Sequence, residues 1–459
     1  MVSCRLLVLL FLPTLLATAP PATAQAPEPS RQELLERDGV IWGSAAAWSV
    51  PFAENIAEND KIAGLSRLWM EVKINFPNFA QVPDLDWDKT FVDYIPKVRA
   101  TTSTHEYYRV LQSMVALLHD GHSGVFMPKA VTERQGTPPL RLEVIDHRVF
   151  VTAVESPSLD SLGVARGLEI VSIDGTPLPA FVARERAPYV SSNSPQHTEV
   201  LRYTYGLLAG DRGVPVSVRF RRPTGTEFTL RLNRSGYAAV TSLPTLEFRQ
   251  LPGNLAYLAI NSFGDPAIEQ PLLDAWPAIL ASDGLIIDVR QNDGGSGLIA
   301  YAILGYLSPV AIPLPQWKSR EYVPTLRAWG TAGSWYTADK QTAPGQPSAY
   351  YGKPVVLLIG PRSLSATDVF AETFRVMERG TLIGEPTGGS TGDPVGFALP
   401  GGGFGRVSTS ANVGTDLVGR GVQPQLLVPR TVEDFLADRD AALEAAIAEL
   451  QRQDAHRGE

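Results

Sequence analysis

Residues 354–368 read PVVLLIGPRSLSATD. The first six, Pro354-Val355-Val356-Leu357-Leu358-Ile359, form a continuous apolar run of strand length. A Gly360-Pro361 break follows, then a stripe of Ala366, Val369, Phe370, Phe374 and Met377 at helical spacing. A strand apolar on both sides belongs in a sheet covered on both faces. Leu255-Ala256-Tyr257-Leu258-Ala259-Ile260 and Leu285-Ile286-Ile287-Asp288-Val289 have the same character. The chain from about Asn254 onward therefore reads as α/β, closed by one helix over Val432–Gln451.

Upstream the period changes. From about Pro138 to Asn233 it is two, with strands expected at Val149–Val154, Gly167–Ile173, Val216–Arg221 and Phe228–Leu232 and a tight turn at Asp174-Gly175. From about Glu58 to Leu118 it is helical. The strongest helix spans Thr104–Leu118, where Ser103 and Glu106 make a capping box and Tyr107, Leu111, Met114, Val115 and Leu118 form the stripe. Ser308–Tyr351 is rich in proline, glycine and aromatics. It reads either as a packed excursion or as a substrate wall holding Trp317, Tyr322 and Trp335.

A length of 459 residues implies two or three domains, and 44% hydrophobic with 19% charged residues is a globular composition. The net charge of −8, without a basic stretch, excludes a nucleic-acid footprint. Met1–Ala24 has a short basic start at Arg5, an apolar run over Leu6–Leu16 and a small-x-small Ala22-Thr23-Ala24, the pattern of a signal peptide. The run is too short to span a bilayer, although an uncleaved anchor is the alternative. Removal of this segment takes away Arg5 and no acid. It also removes Cys4, the one cysteine, so disulfides, a thiolate nucleophile and a cysteine metal site are excluded from the remainder. A periplasmic or extracellular location is expected, with no integral membrane span after cleavage, and no oligomeric state can be read.

Four segments could carry chemistry. Ser365 lies between a buried strand and a helix N-terminus, at the sheet edge where α/β ligand sites form. With Asp368 three residues on, it equally fits a plain helix cap. Asp288-Val289-Arg290-Gln291-Asn292-Asp293-Gly294-Gly295 runs from a strand into a glycine loop, suited to an oxyanion hole; a phosphate loop would need a Gly-Lys-Ser/Thr ending that is missing. Leu118-His119-Asp120-Gly121-His122 places two of only six histidines in one turn, as a general base, a satisfied turn histidine or a metal site. Gly384-Glu385-Pro386-Thr387-Gly388-Gly389-Ser390-Thr391-Gly392 is a second glycine loop after a strand.

Together these segments resemble the S41 family of serine peptidases, the C-terminal processing proteases and the tricorn core, over about Gly64–Leu450. Leu118–Ser123 matches its L-x-D-G-H-T/S segment and Asp288–Gly295 its D-x-R-x-N-x-G-G segment. Ser365–Asp368 matches S-A-x-E with Asp for Glu, and Gly419–Gln425 resembles the tail G-x-G-I-x-P-D. The resemblance implies a multi-domain α/β fold: a crotonase-like ββα core at 241–452, a PDZ-like β-rich domain at 138–240 and an N-terminal helical segment at 58–137, after a leader at 25–57. It implies peptide-bond hydrolysis with Ser365 as nucleophile, no cofactor and a polypeptide partner. In the processing branch the base is a lysine, whose position here holds Ser390. In the tricorn-like branch it is a histidine, matched by His122, supported by a carboxylate through a serine. Gly121 precedes His122, and Gln423 and Gln425 stand where acids would suit, so Asp120 and Glu385 are the candidates for the third member. Gly294, Gly295 and Ala366 would supply the oxyanion N–H groups. The competing functions are an inactive binding protein on the same fold and a scaffold that only holds peptides.

Overall fold

The computed structural model describes residues 48–455 apart from 238, 239, 241 and 332. The expected signal peptide and residues 25–47 of the expected leader lie outside the described residues.

Three helices come first: α1 (Glu58–Asn75), α2 (Trp87–Arg99) and α3 (Thr104–Ala116). In α3 the Ser103 hydroxyl accepts the Glu106 N–H at 3.1 Å, satisfying one of the orphan donors of the first turn. The Glu106 carboxylate caps Thr102 rather than Ser103, at 2.7 Å. Tyr107, Leu111, Met114 and Val115 are buried as the stripe requires. The end of the segment assigned from sequence to the leader is anchored to the helices. Ile56 is buried among these helices, its N–H donates to Thr104 Oγ1, and Val50 accepts the Gly401 N–H. Strand β1 (Gly124–Phe126) follows the turn that ends α3.

Strands β2 (Leu140–Ile145), β3 (Arg148–Val154) and β4 (Glu169–Ile173) open a β-rich module. Helices α4 (Leu178–Glu185) and α5 (Pro195–Tyr203) are followed by β5 (Val216–Arg221) and β6 (Glu227–Leu232). The sheet is antiparallel in the order β2-β3-β4-β5-β6. Asp174 and Gly175 both adopt positive φ, as the tight turn demands.

The core continues with β7 (Leu246–Leu251), β8 (Leu255–Ile260), α6 (Glu269–Ala281), β9 (Gly284–Asp288) and α7 (Gly297–Gly305). The excursion holds β10 (Trp317–Glu321) and β11 (Ser334–Thr337). Then come β12 (Val355–Ile359), α8 (Ala366–Val376) and β13 (Thr381–Gly384). Strands β14 (Val395–Leu399), β15 (Gly403–Val407), β16 (Ser410–Asn412) and β17 (Leu426–Leu427) precede helices α9 (Val432–Leu436) and α10 (Ala441–Ala455).

The main sheet runs β7-β8-β9-β12-β13-β17, parallel except for the β7–β8 pair. Leu258, Ile287, Leu357 and Ile359 face α6–α8, with Ile303, Phe370 and Phe374. Tyr257, Ile286, Val356 and Leu358 face Ala442, Ala446 and Leu450 of α10. Burial on both faces explains the unbroken apolar runs, and each fully buried Val, Leu or Phe contributes roughly 2 kcal/mol.

The expected single closing helix is two helices. Asp438 at positive φ breaks it, and Asp440 restarts it by accepting the Leu443 N–H. Asp440 also pairs with Arg290, which bridges to Asp288 at the end of β9. The excursion contains regular structure. β10 and β11 form a ribbon that continues into β16, in the order β11-β10-β16.

Two features assemble a site. The parallel strands β9, β12 and β13 release their loops at one sheet edge. The turn after α3 is tied to the core because β1 pairs with β15, Gly124 opposite Arg406.

Candidate active site

Ser365 sits between β12 and α8 with φ 63° and ψ −119°, a conformation that L-residues with a Cβ adopt only under constraint. The constraint is visible. The Ser365 N–H donates to Asp368 Oδ2 at 2.9 Å and to the Ser390 carbonyl at 3.1 Å. The Asp368 half of the capping box is therefore made, but the Ser365 hydroxyl is turned elsewhere: its Oγ lies 2.8 Å from His122 Nε2.

The other His122 nitrogen, Nδ1, is 2.8 Å from Ser390 Oγ. For Nε2 to accept the Ser365 proton, the ring proton sits on Nδ1 and is donated to Ser390. Burial holds the His122 imidazole below its ordinary pKa, against the pull of the nearby Asp120 carboxylate, while Arg406 adds to the lowering. A buried, neutral imidazole in this tautomer is a competent proton acceptor. Both ring nitrogens face serine hydroxyls and His119 is exposed, so the metal reading of this turn fails on geometry.

Ser390 is the residue that sequence reasoning passed over, treating it only as the place where a lysine is missing. It supplies the hydroxyl next to the histidine, and Gly121 makes room for it: a Cβ on Gly121 would come within 2.7 Å of Ser390 Oγ. The two carboxylates expected to act as third member do not contact the ring. Asp120 is fully buried and accepts from Ser123 Oγ, Ser408 Oγ and Asn193 Nδ2, so it acts on His122 through space. Glu385 lies in a separate cavity of about 640 Å³ with Glu143, Arg290 and Arg430, where burial pushes its pKa up.

Asp368 is the second residue that the sequence underrated. Its wholly buried carboxylate accepts Thr387 Oγ1 at 2.5 Å and the Gly389 N–H at 2.9 Å on one oxygen. The other oxygen takes the Ser390 and Ser365 N–H groups. One side chain thus fixes the Ser365 turn and the Gly388–Ser390 loop together. Burial pushes its pKa up to about 6 despite these donors.

A segment of the β-rich module holds both loops from outside. Ser191 Oγ accepts the Asp120 N–H and Asn193 Oδ1 the Gly121 N–H, at 2.9 and 2.8 Å. Ser194 Oγ donates to the Gly388 carbonyl at 2.6 Å, and Gln196 Nε2 to the Thr387 carbonyl at 2.7 Å. Nothing in the chemistry-bearing motifs pointed to these four residues, since they lie in an unremarkable polar stretch.

The glycine loop meets Ser365 directly. A Cβ on Gly294, at φ 106°, would fall 2.7 Å from Ser365 Cβ and the Leu364 carbonyl. The expected donor role of Gly294 changes, however, because its N–H is taken by Asn292 Oδ1 at 2.8 Å. The Gly295 N–H and that of Ala366, the first residue of α8, remain as the oxyanion candidates.

Of the expected wall residues, Trp317 and Tyr322 line a cleft of about 700 Å³ that also reaches Asp393. Trp335 does not line it. Neighbouring residues of a strand point to opposite faces, so Tyr336 takes that place while Trp335 packs its ring 4.7 Å from Lys318 Nζ.

Residues 254–428 match the family model of Peptidase family S41. Among solved structures, mature CPAF complexed with lactacystin is similar over 82% of this chain and 95% of its own, at 17% identity and a TM-score of 0.67. The CPAF S499A mutant aligns equally well, over 82% and 94% at 17% identity and 0.67. A protein from Parabacteroides merdae, described as a peptidase candidate, matches over 86% and 97% at 19% identity and 0.50. At these identities the structural likenesses establish the fold, and the family match rests on residues 254–428.

Proposed function

We propose that this chain, whose residues 254–428 match the model of peptidase family S41, is an exported serine-type endopeptidase in which Ser365 is the nucleophile and His122 the general base. The observation that carries this reading is the 2.8 Å separation of Ser365 Oγ and His122 Nε2. His122 Nε2 takes the hydroxyl proton as Oγ attacks the scissile carbonyl. The N–H groups of Gly295 and Ala366, the latter at the positive end of α8, hold the oxyanion. The imidazolium then protonates the leaving amine, and water, deprotonated by the same ring, releases the acyl group. Ser390 keeps the ring proton on Nδ1 throughout.

A fluorophosphonate probe tests this. Labelling of the wild type at Ser365, lost in Ser365→Ala and strongly reduced in His122→Ala, is the expected result. Turnover of a polypeptide substrate by Ser365→Ala equal to wild type overturns it. Absence of any labelling would leave the fold as a binding module. Export after removal of residues 1–24 is tested by N-terminal sequencing of the protein recovered outside the cytoplasm; an intact Met1 there opposes cleavage. No helix among the described residues is long and apolar enough to cross a membrane.

A further inference from the structure

The cleft beside His122 carries charge as well as aromatic surface. Trp317, Tyr322 and Tyr336 wall its volume of about 700 Å³, and Asp393 lines it with them. The preceding residue, Gly392, packs so closely that a Cβ on it would come within 3.3 Å of His122 Cβ. Asp393 is an exposed acid held in place from two sides. Its carbonyl accepts Thr409 Oγ1 and its Oδ2 accepts Ser410 Oγ, both at 2.6 Å. Ser410 is itself set in β16, opposite Ser319 of β10. The carboxylate is thus pre-positioned by the same ribbon that supplies the aromatic wall.

The other charges of the cleft have partners. Glu321 accepts Ser334 Oγ at 2.6 Å. The Arg320 guanidinium lies 5.7 Å from the Phe79 ring and 6.0 Å from that of Trp335, with Nη1 donating to the Lys73 carbonyl at 3.4 Å. Arg320 is the cross-strand partner of Trp335, so its guanidinium points to the face away from the two carboxylates. A lysine or arginine side chain suits such a cleft, because its aliphatic stem packs on aromatic faces while its charged end seeks a carboxylate. The net charge of −8 favours the approach of such a peptide.

We propose that this cleft is a specificity subsite for a basic side chain of the polypeptide substrate, with Asp393 as its anionic partner and Trp317, Tyr322 and Tyr336 as its walls. The proposal rests on the reading of Ser365 and His122 as a peptidase site.

The test uses the full chain and a set of fluorescent peptides in which one lysine is moved along an otherwise neutral sequence. Parallel sets carry arginine, glutamate or leucine instead. Binding is measured with Ser365→Ala and cleavage with the wild type. At one position lysine and arginine should exceed leucine and glutamate by about tenfold in affinity and in kcat/KM. Asp393→Asn should level that preference and Asp393→Lys should turn it toward glutamate. Asp393 also acts through space on His122, so the leucine peptide reports that effect alone. Equal binding of all sets, a preference for glutamate in the wild type, or an equal loss on every peptide in Asp393→Asn overturns the subsite. Selective binding of lysine peptides that neither form cleaves would retain the subsite and overturn the peptidase reading. Ser365-dependent cleavage without basic preference does the reverse.

Discussion

Asp368 Oδ2 accepts the Ser390 N–H at 3.0 Å, and the same oxygen accepts the Ser365 N–H at 2.9 Å. The two hydroxyls that flank the His122 ring are therefore set by a single buried carboxylate. It touches no reacting atom and acts through the backbone of the two serines, which makes it a positioning residue.

Its ionisation gives a pH dependence with a definite sign. The folded value of about 6 lies above the ordinary 3.8, so the native state holds the proton more tightly than the unfolded chain. Stability should fall as pH rises from about 4 to about 6, by roughly 3 kcal/mol, and level off above. Activity should run the other way. Protonation turns one acceptor oxygen into a donor and loosens Ser365 or Ser390. Asp368→Asn presents an amide to N–H donors on one side, and should lose tenfold or more in kcat, on the order of a lost charged hydrogen bond. Tm and kcat measured between pH 4 and 7 decide this; an unchanged slope of Tm with pH in the Asn variant refutes the assignment.

Ser390→Ala removes the acceptor of the His122 Nδ1 proton. The sequence alone implies an innocuous change, since the missing lysine seems to leave that position idle. The 2.8 Å contact implies otherwise. The expected effect is a fall in kcat of about 10- to 100-fold with KM little altered, as for a group that orients the base. The rate of fluorophosphonate labelling at Ser365 should fall in parallel. A wild-type labelling rate would mean that the ring is held by packing alone.

Much of the architecture is legible in the chain because it follows from burial. Val355–Ile359 and Gly284–Asp288 are apolar throughout since both faces of the sheet are covered, and Ser103 announces the start of α3. The meeting of Ser365 with His122 is legible only through the order of motifs, because 243 residues separate them along the chain. What stays hidden is the support. Ser390, Asn193 and Asp368 act through side-chain hydrogen bonds that join separate loops, and no periodicity marks such contacts. The placing of Tyr336 rather than Trp335 on the cleft is hidden for a related reason: the pleat of the ribbon decides which neighbour faces the cleft, and the register is unknown until Tyr336 is seen opposite Ser319.

Asn193 tests whether the β-rich module takes part in the chemistry. Its side chain joins the Gly121 N–H to the Asp120 carboxylate at 2.8 and 3.2 Å. Asn193→Ala leaves a buried carboxylate one donor short and the His122 turn without its clamp, a loss of about 1–3 kcal/mol. Substituted at a site remote from the peptide, it should lower kcat more than it raises KM. Val218→Ala, a core change in the same module, serves as the control. If both variants lose stability and kcat in the same proportion, the clamp has no specific role.

Gly121 and Ser390 compete for one space, which allows the hydroxyl to be moved. In Gly121→Ala the new Cβ meets Ser390 Oγ at 2.7 Å and Ser390 Cβ at 3.1 Å, so one loop must shift and the contact of Ser390 with Nδ1 must lengthen. Activity should fall at least tenfold, on the scale of a misplaced base. Adding Ser390→Gly relieves the clash without restoring an acceptor, so Tm should recover while kcat does not. Gly121→Ser combined with Ser390→Gly returns a hydroxyl from the opposite loop and should regain part of the lost rate. Full activity in Gly121→Ala with Ser390→Gly would show that neither hydroxyl matters to the base. Equal rates in the alanine and serine double variants, both low, would show that the hydroxyl works only from the loop held by Asp368.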